Sequence, residues 1–96
     1  VTVARLVYGL DQLINDEDYW VRMAVAEQKY GLNILINDEI EWVRCAVARH
    51  GYGLNVLIND KSSFVRDEVT DYLKEHNYKS IEEWIEANPE NVHWGD

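Results

Sequence analysis

Cysteine occurs once in the 96 residues, as Cys45, so no internal disulfide can form. No apolar run approaches the roughly 18 residues that a membrane span requires, and no membrane partner is expected. Basic residues are scarce: nine of them against eighteen acids leave a formal charge of −9. A face built to hold phosphates would work against the field of the whole molecule, so no direct nucleic acid binding is expected. The opening at Val1 lacks the basic region, apolar run and cleavage site of a signal peptide, which predicts an intracellular protein. The length leaves room for one domain and none for an enzyme barrel or a two-lobed cofactor fold.

The equipment for catalysis is thin as well. His50, His76 and His93 stand 26 and 17 residues apart with no Cys or second His at ligand spacing, so no metal site is expected. There is no Gly-rich phosphate loop and no Ser-His-Asp order in a turn context. The chain reads as a non-enzyme without a cofactor. What is present is an ordinary globular balance, 47% apolar and 28% charged, which predicts a folded chain.

The dominant feature is an internal repeat. Residues 8–29 read YGLDQLINDEDYWVRMAVAEQK, residues 30–51 YGLNILINDEIEWVRCAVARHG and residues 52–73 YGLNVLINDKSSFVRDEVTDYL. The period is 22 without insertion, and ten of the 22 positions hold one residue type in all three copies. The opening VTVARLV aligns with the end of a copy, making residues 1–7 a partial repeat. Each copy carries two short apolar stripes at helical spacing. Leu10, Leu13 and Ile14 define the first; Val21, Ala24 and Val25 define the second, with Gln28, His50 or Tyr72 one turn further on. Two helices of two or three turns are unstable alone, so neighbouring copies must bury each other's stripes. The predicted fold is all-α, an α-solenoid of two-helix units. Asn15, Asn37 and Asn59 are placed to end the first helices in the left-handed conformation. Gly9, Gly31 and Gly53, with Gly51 adding a breaker, are placed where the chain turns between copies.

The phrase Asp-x-x-x-x-x-Arg recurs as Asp16 to Arg22, Asp38 to Arg44 and Asp60 to Arg66. This resembles the HEAT-type repeat signature, in which an inter-helix aspartate and an arginine six residues on form a ladder along the stack. The period is shorter than the roughly 40–47 residues of HEAT units and is closer to the leucine-rich variant repeat, and the usual proline after the aspartate is absent. The resemblance implies an α-solenoid with Asp16, Arg22, Asp38, Arg44, Asp60 and Arg66 as a structural ladder. A guanidinium can take a carboxylate of its own or the adjoining copy in a bidentate pair, which would fix the register. Trp20, Trp42 and Phe64, and likewise Tyr8, Tyr30 and Tyr52, recur at fixed positions and are read as packing between copies.

Positions that change between copies are free to meet a partner. Opposite the buried valines lie Tyr19, Met23, Ala26 and Glu27, then Glu41, Cys45, Ala48 and Arg49, then Ser63, Asp67, Thr70 and Asp71. The second-helix row usually lines the concave side of such arrays, so Tyr19, Met23, Glu27, Glu41, Cys45, Arg49, Ser63, Asp67 and Asp71 form the expected partner-binding face. Cys45 lies between Glu41 and Arg49 at helical spacing, and its thiol pKa is open at this stage.

After the repeats, Ser80 and Glu83 make a capping-box pattern ahead of Trp84 and Ile85, with Ile81 on the same face and Asn88-Pro89 closing the segment. Residues 74–89 are expected to form a capping helix over the last repeat, leaving 90–96 as a tail with little to fold around except Trp94. Residues 67–96 hold nine acids and two lysines, so Glu68, Glu75, Glu82, Glu83 and Glu86 make an acidic patch able to attract a basic partner surface. The function expected is a non-catalytic protein-protein interaction module with an acidic HEAT-like scaffold. The alternative is an acidic nucleic-acid mimic, a phage-encoded inhibitor of a DNA-binding, CRISPR or restriction enzyme. Comparable arrays resemble bacterial cytoplasmic proteins, which sets the expected location.

Overall fold

Short helices follow one another because each copy carries its own start and stop signals. The computed structural model describes residues 9–94; the partial repeat predicted over residues 1–7, and Tyr8, lie outside them. Among the described residues there is no strand. Residues 9–13 are helical (α1) and are followed by α2 (Tyr19–Glu27), α3 (Leu32–Leu35), α4 (Glu41–Arg49), α5 (Leu54–Leu57), α6 (Ser63–Glu75), α7 (Ile81–Ala87) and a 3₁₀ turn at Pro89–Asn91. The principal extents are 40 × 26 × 25 Å.

The longer helices start on side-chain caps where the sequence supplies one. Asp18 accepts from the Trp20 N–H at 2.9 Å, and the Ser62 hydroxyl oxygen accepts from the Phe64 N–H at 3.2 Å. At α4 the cap position is Ile40, which offers no acceptor; Glu41 in the first turn still sits favourably at the positive end of the helix dipole. All three helices end on the same Schellman motif. The Tyr30 N–H returns to the Val25 carbonyl, Tyr52 to Val47 and Tyr78 to Leu73, with Lys29, Gly51 and Asn77 in the left-handed conformation between.

The one-turn helices α3 and α5 begin on left-handed glycines, Gly31 at φ 63° and Gly53 at φ 65°. A Cβ at either would also collide with an isoleucine of the preceding copy, Ile14 or Ile36, so these turns require glycine. The asparagine caps expected after the one-turn helices are corrected: only Lys29 and Asn77 among non-glycine described residues have positive φ. The chain instead tightens into 3₁₀ bonds, Asn37 N–H to the Ile34 carbonyl at 3.1 Å and Asp38 N–H to Leu35 at 3.0 Å, which satisfy the end carbonyls without a left-handed residue.

The core is built from the repeated apolar positions: Val25, Leu35, Val43, Val47, Leu54, Leu57, Val65 and Val69 are fully buried, and Trp84 of α7 joins them. Burying each such side chain stabilises by roughly 1.5–3 kcal/mol. Helix α4 packs against α2 on one side and α6 on the other, and six consecutive residues from Val43 to Ala48 are buried. This corrects the outward stripe at Ala26, Ala48 and Cys45. A stripe with one inward face holds for a helix with one neighbour, whereas a helix between two neighbours has its flanks covered as well. Ala24, read as inward, is exposed.

The C-terminal helix carries its predicted cap. The Glu83 N–H donates to the Ser80 hydroxyl at 3.2 Å, and Glu83 Oε1 accepts the Lys79 N–H at 2.9 Å, one residue before the position a capping box would use. Helix α7 packs on α5 with Ile81, Trp84 and Ile85 at the same i, i+3, i+4 spacing as Leu10, Leu13 and Ile14. The tail departs from expectation. Val92 is buried and His93 is hydrogen-bonded to the third copy, while Trp94 is left exposed.

Candidate functional site

The recurring aspartates and arginines meet across copies. Asp38 and Asp60 each bend the chain into the following helix, their Oδ1 atoms accepting the Ile40 and Ser62 N–H groups at 2.9 Å. The arginine of the preceding copy reaches that fixed carboxylate with the edge of its guanidinium. Arg22 spans Asp38 at 2.7 and 3.1 Å, and Arg44 spans Asp60 at 2.8 and 3.1 Å. The remaining nitrogen donates to the main chain of the arginine's own copy, Arg22 to the Asp16 carbonyl and Arg44 to that of Asp38. Burial alone would raise the Asp60 carboxyl, but hydrogen bonds from Arg44 and the Ser62 N–H outweigh it and hold the carboxyl below its ordinary value. Arg66 keeps only the main-chain bond, to the Asp60 carbonyl at 2.6 Å, and has no carboxylate partner among the described residues.

Next to this ladder the second helices carry an exposed aromatic row. Trp20 is 64% exposed, Trp42 38% and Phe64 56%, because their position at the start of each second helix points away from the core that Val21, Val43 and Val65 approach. Trp42 and Phe64 meet at 5.0 Å between centroids, and Trp20 stacks on Tyr19 at 5.4 Å. The packing expected between copies is thus present for Trp42 and Phe64, while Trp20 stacks within its own copy. Trp42 stands between two clefts. One, of about 300 Å³, is lined by Tyr19, Trp20, Met23, Trp42 and Arg49. The other, of about 440 Å³, includes Tyr19, Ile40, Glu41, Trp42 and Lys61.

The residues expected on the partner face divide accordingly. Tyr19, Met23 and Arg49 come together around Trp20 and Trp42. Glu27 and Arg49 are joined at 3.0 Å, Arg49 also reaches Glu68 at 3.4 Å, and His50 Nε2 lies 2.8 Å from Glu27. Burial opposes the ionised Glu27, yet bonds from Arg49 and His50 hold its carboxyl below the ordinary range. Glu41 accepts the Ser62 hydroxyl of the next copy. Ser63, Asp67 and Asp71 are exposed on α6, away from the aromatic clefts. Cys45 is buried at 3% exposure; burial, reinforced by Glu68, pushes its thiol up to about 11. It is neither a surface contact nor a reactive thiolate. Of the acidic patch, Glu75, Glu82 and Glu86 are exposed, whereas Glu68 is tied to Arg49 and Glu83 serves as a cap.

Sequence reasoning read Trp20, Trp42 and Phe64 as packing between copies, as Trp42 and Phe64 do, and missed that all three stay exposed. The signal for that exposure was available: the valine following each aromatic occupies the inward position, and adjacent helical residues point about 100° apart. Among the described residues no cluster of three or more His, Cys, Asp or Glu side chains is arranged to hold a metal ion, and no helix is long and apolar enough to cross a membrane. No protein-family model matches this chain, and neither a curated protein nor a solved structure is similar to it.

Proposed function

We propose that the chain is a non-catalytic protein-protein interaction module, a short α-solenoid of HEAT-like two-helix units that docks a protein along its second-helix face. The observation that carries this is the exposed row of Trp20, Trp42 and Phe64 at 22-residue intervals beside Tyr19 and Met23. Large aromatics held on a firm frame are the side chains most enriched at the centres of binding surfaces, and leaving three of them in water has no benefit to folding. The solenoid reading draws support from the arginine-to-aspartate pairs, which recur one period apart, and from α7, whose apolar spacing matches that of a fourth first helix. The acids exposed at the C-terminal end favour a partner with a basic rim next to an apolar centre.

The test uses the full chain as bait in native extract, alongside Trp20→Ser and Trp42→Ser variants. Trp20 is exposed enough that melting should be nearly unchanged, whereas Trp42 loses its packing on Phe64, so its variant is assayed well below its own melting temperature. A specific protein retained in high salt and lost with Trp42→Ser supports the proposal. Capture of DNA-binding enzymes that is indifferent to Trp42 and released by salt would instead identify a nucleic-acid mimic.

A further inference from the structure

The C-terminal tail shows how the first-helix side of a copy holds an extended segment. Asn55 clamps the backbone of His93 from both sides: its Nδ2 donates to the His93 carbonyl at 3.1 Å, and its Oδ1 accepts the His93 N–H at 3.1 Å. The left-handed turn at Gly53 aims its N–H at the Asn91 carbonyl, 2.8 Å away. The Tyr52 hydroxyl meets His93 Nδ1 at 3.1 Å, and Val92 between them is extended and buried. Three of these contacts are to main chain. They recognise an extended backbone, while the side-chain preference is confined to an apolar residue followed by histidine.

The second copy repeats the same three residues as Tyr30, Gly31 and Asn33. Gly31 has nearly the same dihedrals as Gly53, φ 63° and ψ 28° against 65° and 28°. Its N–H therefore leaves the start of α3 as that of Gly53 leaves α5. Among the described residues neither the Gly31 N–H nor the Asn33 amide has a hydrogen-bond partner. They line an open cleft of about 570 Å³ with Lys29, Leu32, His50 and Tyr52, and Asn91 of the tail stands at its edge. The first copy has Asp11 where the others have asparagine. A carboxylate accepts but cannot donate, so the two-sided clamp is available in the second and third copies only.

We infer that the cleft at Gly31 and Asn33 is a binding site for an extended peptide segment with an apolar residue followed by histidine, held through its backbone as the chain's own residues 91–93 are held one copy further on. This surface is on the first-helix side and does not depend on what docks against the aromatic row.

The experiment is a titration of the full ¹⁵N-labelled chain with a capped synthetic peptide of residues 89–96, followed by amide NMR. Saturable shifts at the Gly31 N–H and the Asn33 side-chain amide are expected. Asn33→Asp, which copies the first unit at an exposed position, should weaken binding at least about tenfold, the loss of one donor to a buried carbonyl. A peptide with His93→Pro, lacking the clamped N–H, should fail to bind. Asn55→Asp should loosen the tail and leave the Gly31 response intact. The inference is overturned if Gly31 and Asn33 do not respond, if shifts are confined to Gly53 and Asn55 through exchange with the resident tail, or if Asn33→Asp binds as tightly as the parent.

Discussion

Removing Arg44 should be far more damaging than removing Arg66, its counterpart in the third copy. Its side chain is 7% exposed and that of Asp60 9%, and three of its hydrogen bonds are made at 2.6–3.1 Å. Arg44→Ala strands a carboxylate that is almost fully withdrawn from water and leaves the Asp38 carbonyl without its guanidinium donor. Breaking a buried pair from one side costs about 3–5 kcal/mol. For a chain of this size each kcal/mol lowers the melting temperature by about 4–8 °C, so even the lower bound gives a drop of about 12–24 °C. Arg22→Ala should follow closely, since its pair is only slightly more open at 13% and 8%. Arg66→Ala loses a single exposed bond to a carbonyl and should cost under about 1 kcal/mol. Thermal melts followed by circular dichroism give the ranking directly. Arg44→Met combined with Asp60→Leu should recover most of the loss, because an apolar pair of similar volume replaces a buried ion pair at little cost. The reasoning fails if Arg44→Ala melts like the parent, if Arg66→Ala is equally harmful, or if the double variant is no better than the single one.

Three further outcomes follow from the same geometry. The Asp60 carboxyl is held below its ordinary value of 3.8 in the folded chain, so the unfolded chain takes up that proton first; its contribution is complete above that value and is lost as pH falls through the folded pKa. The stability gap between the parent and Asp60→Asn, measured by urea melts, should therefore shrink steadily below about pH 4. Cys45, with its thiol pushed up to about 11, should react with a disulfide reagent at pH 8 at least about a hundredfold more slowly than in urea; equal rates would place it at the surface. Gly31→Ala combines a left-handed backbone with a collision against Ile14 and should destabilise by about 1–3 kcal/mol, whereas an unchanged melt would mean that this turn relaxes freely.

Much of the architecture was legible because the repeat states its own punctuation. Gly31 and Gly53 turn where a break was needed, Ser80 and Glu83 cap the last helix, and the aspartate-arginine phrase forms pairs between adjoining copies. The misread helix faces share one cause. Periodicity shows that a helix has an inward side but not how many neighbours it has, so Cys45 and Ala48, on the central helix, were read as outward. The same blindness hid the aromatic row, because recurrence at a fixed position marks a common role without saying whether that role is burial or display. The tail was missed because its anchors are main-chain groups of Asn91 and His93, and main-chain hydrogen bonding leaves no mark on composition.

In the first two copies the arginine addresses the aspartate sixteen residues ahead of it. Excising residues 30–51 would set Asp60 where Asp38 now stands, within reach of Arg22, and a duplicated unit would find its neighbours equally well. The joint is thus a standard coupling, the same at both junctions between copies, so adding or removing a whole unit would call for no new link.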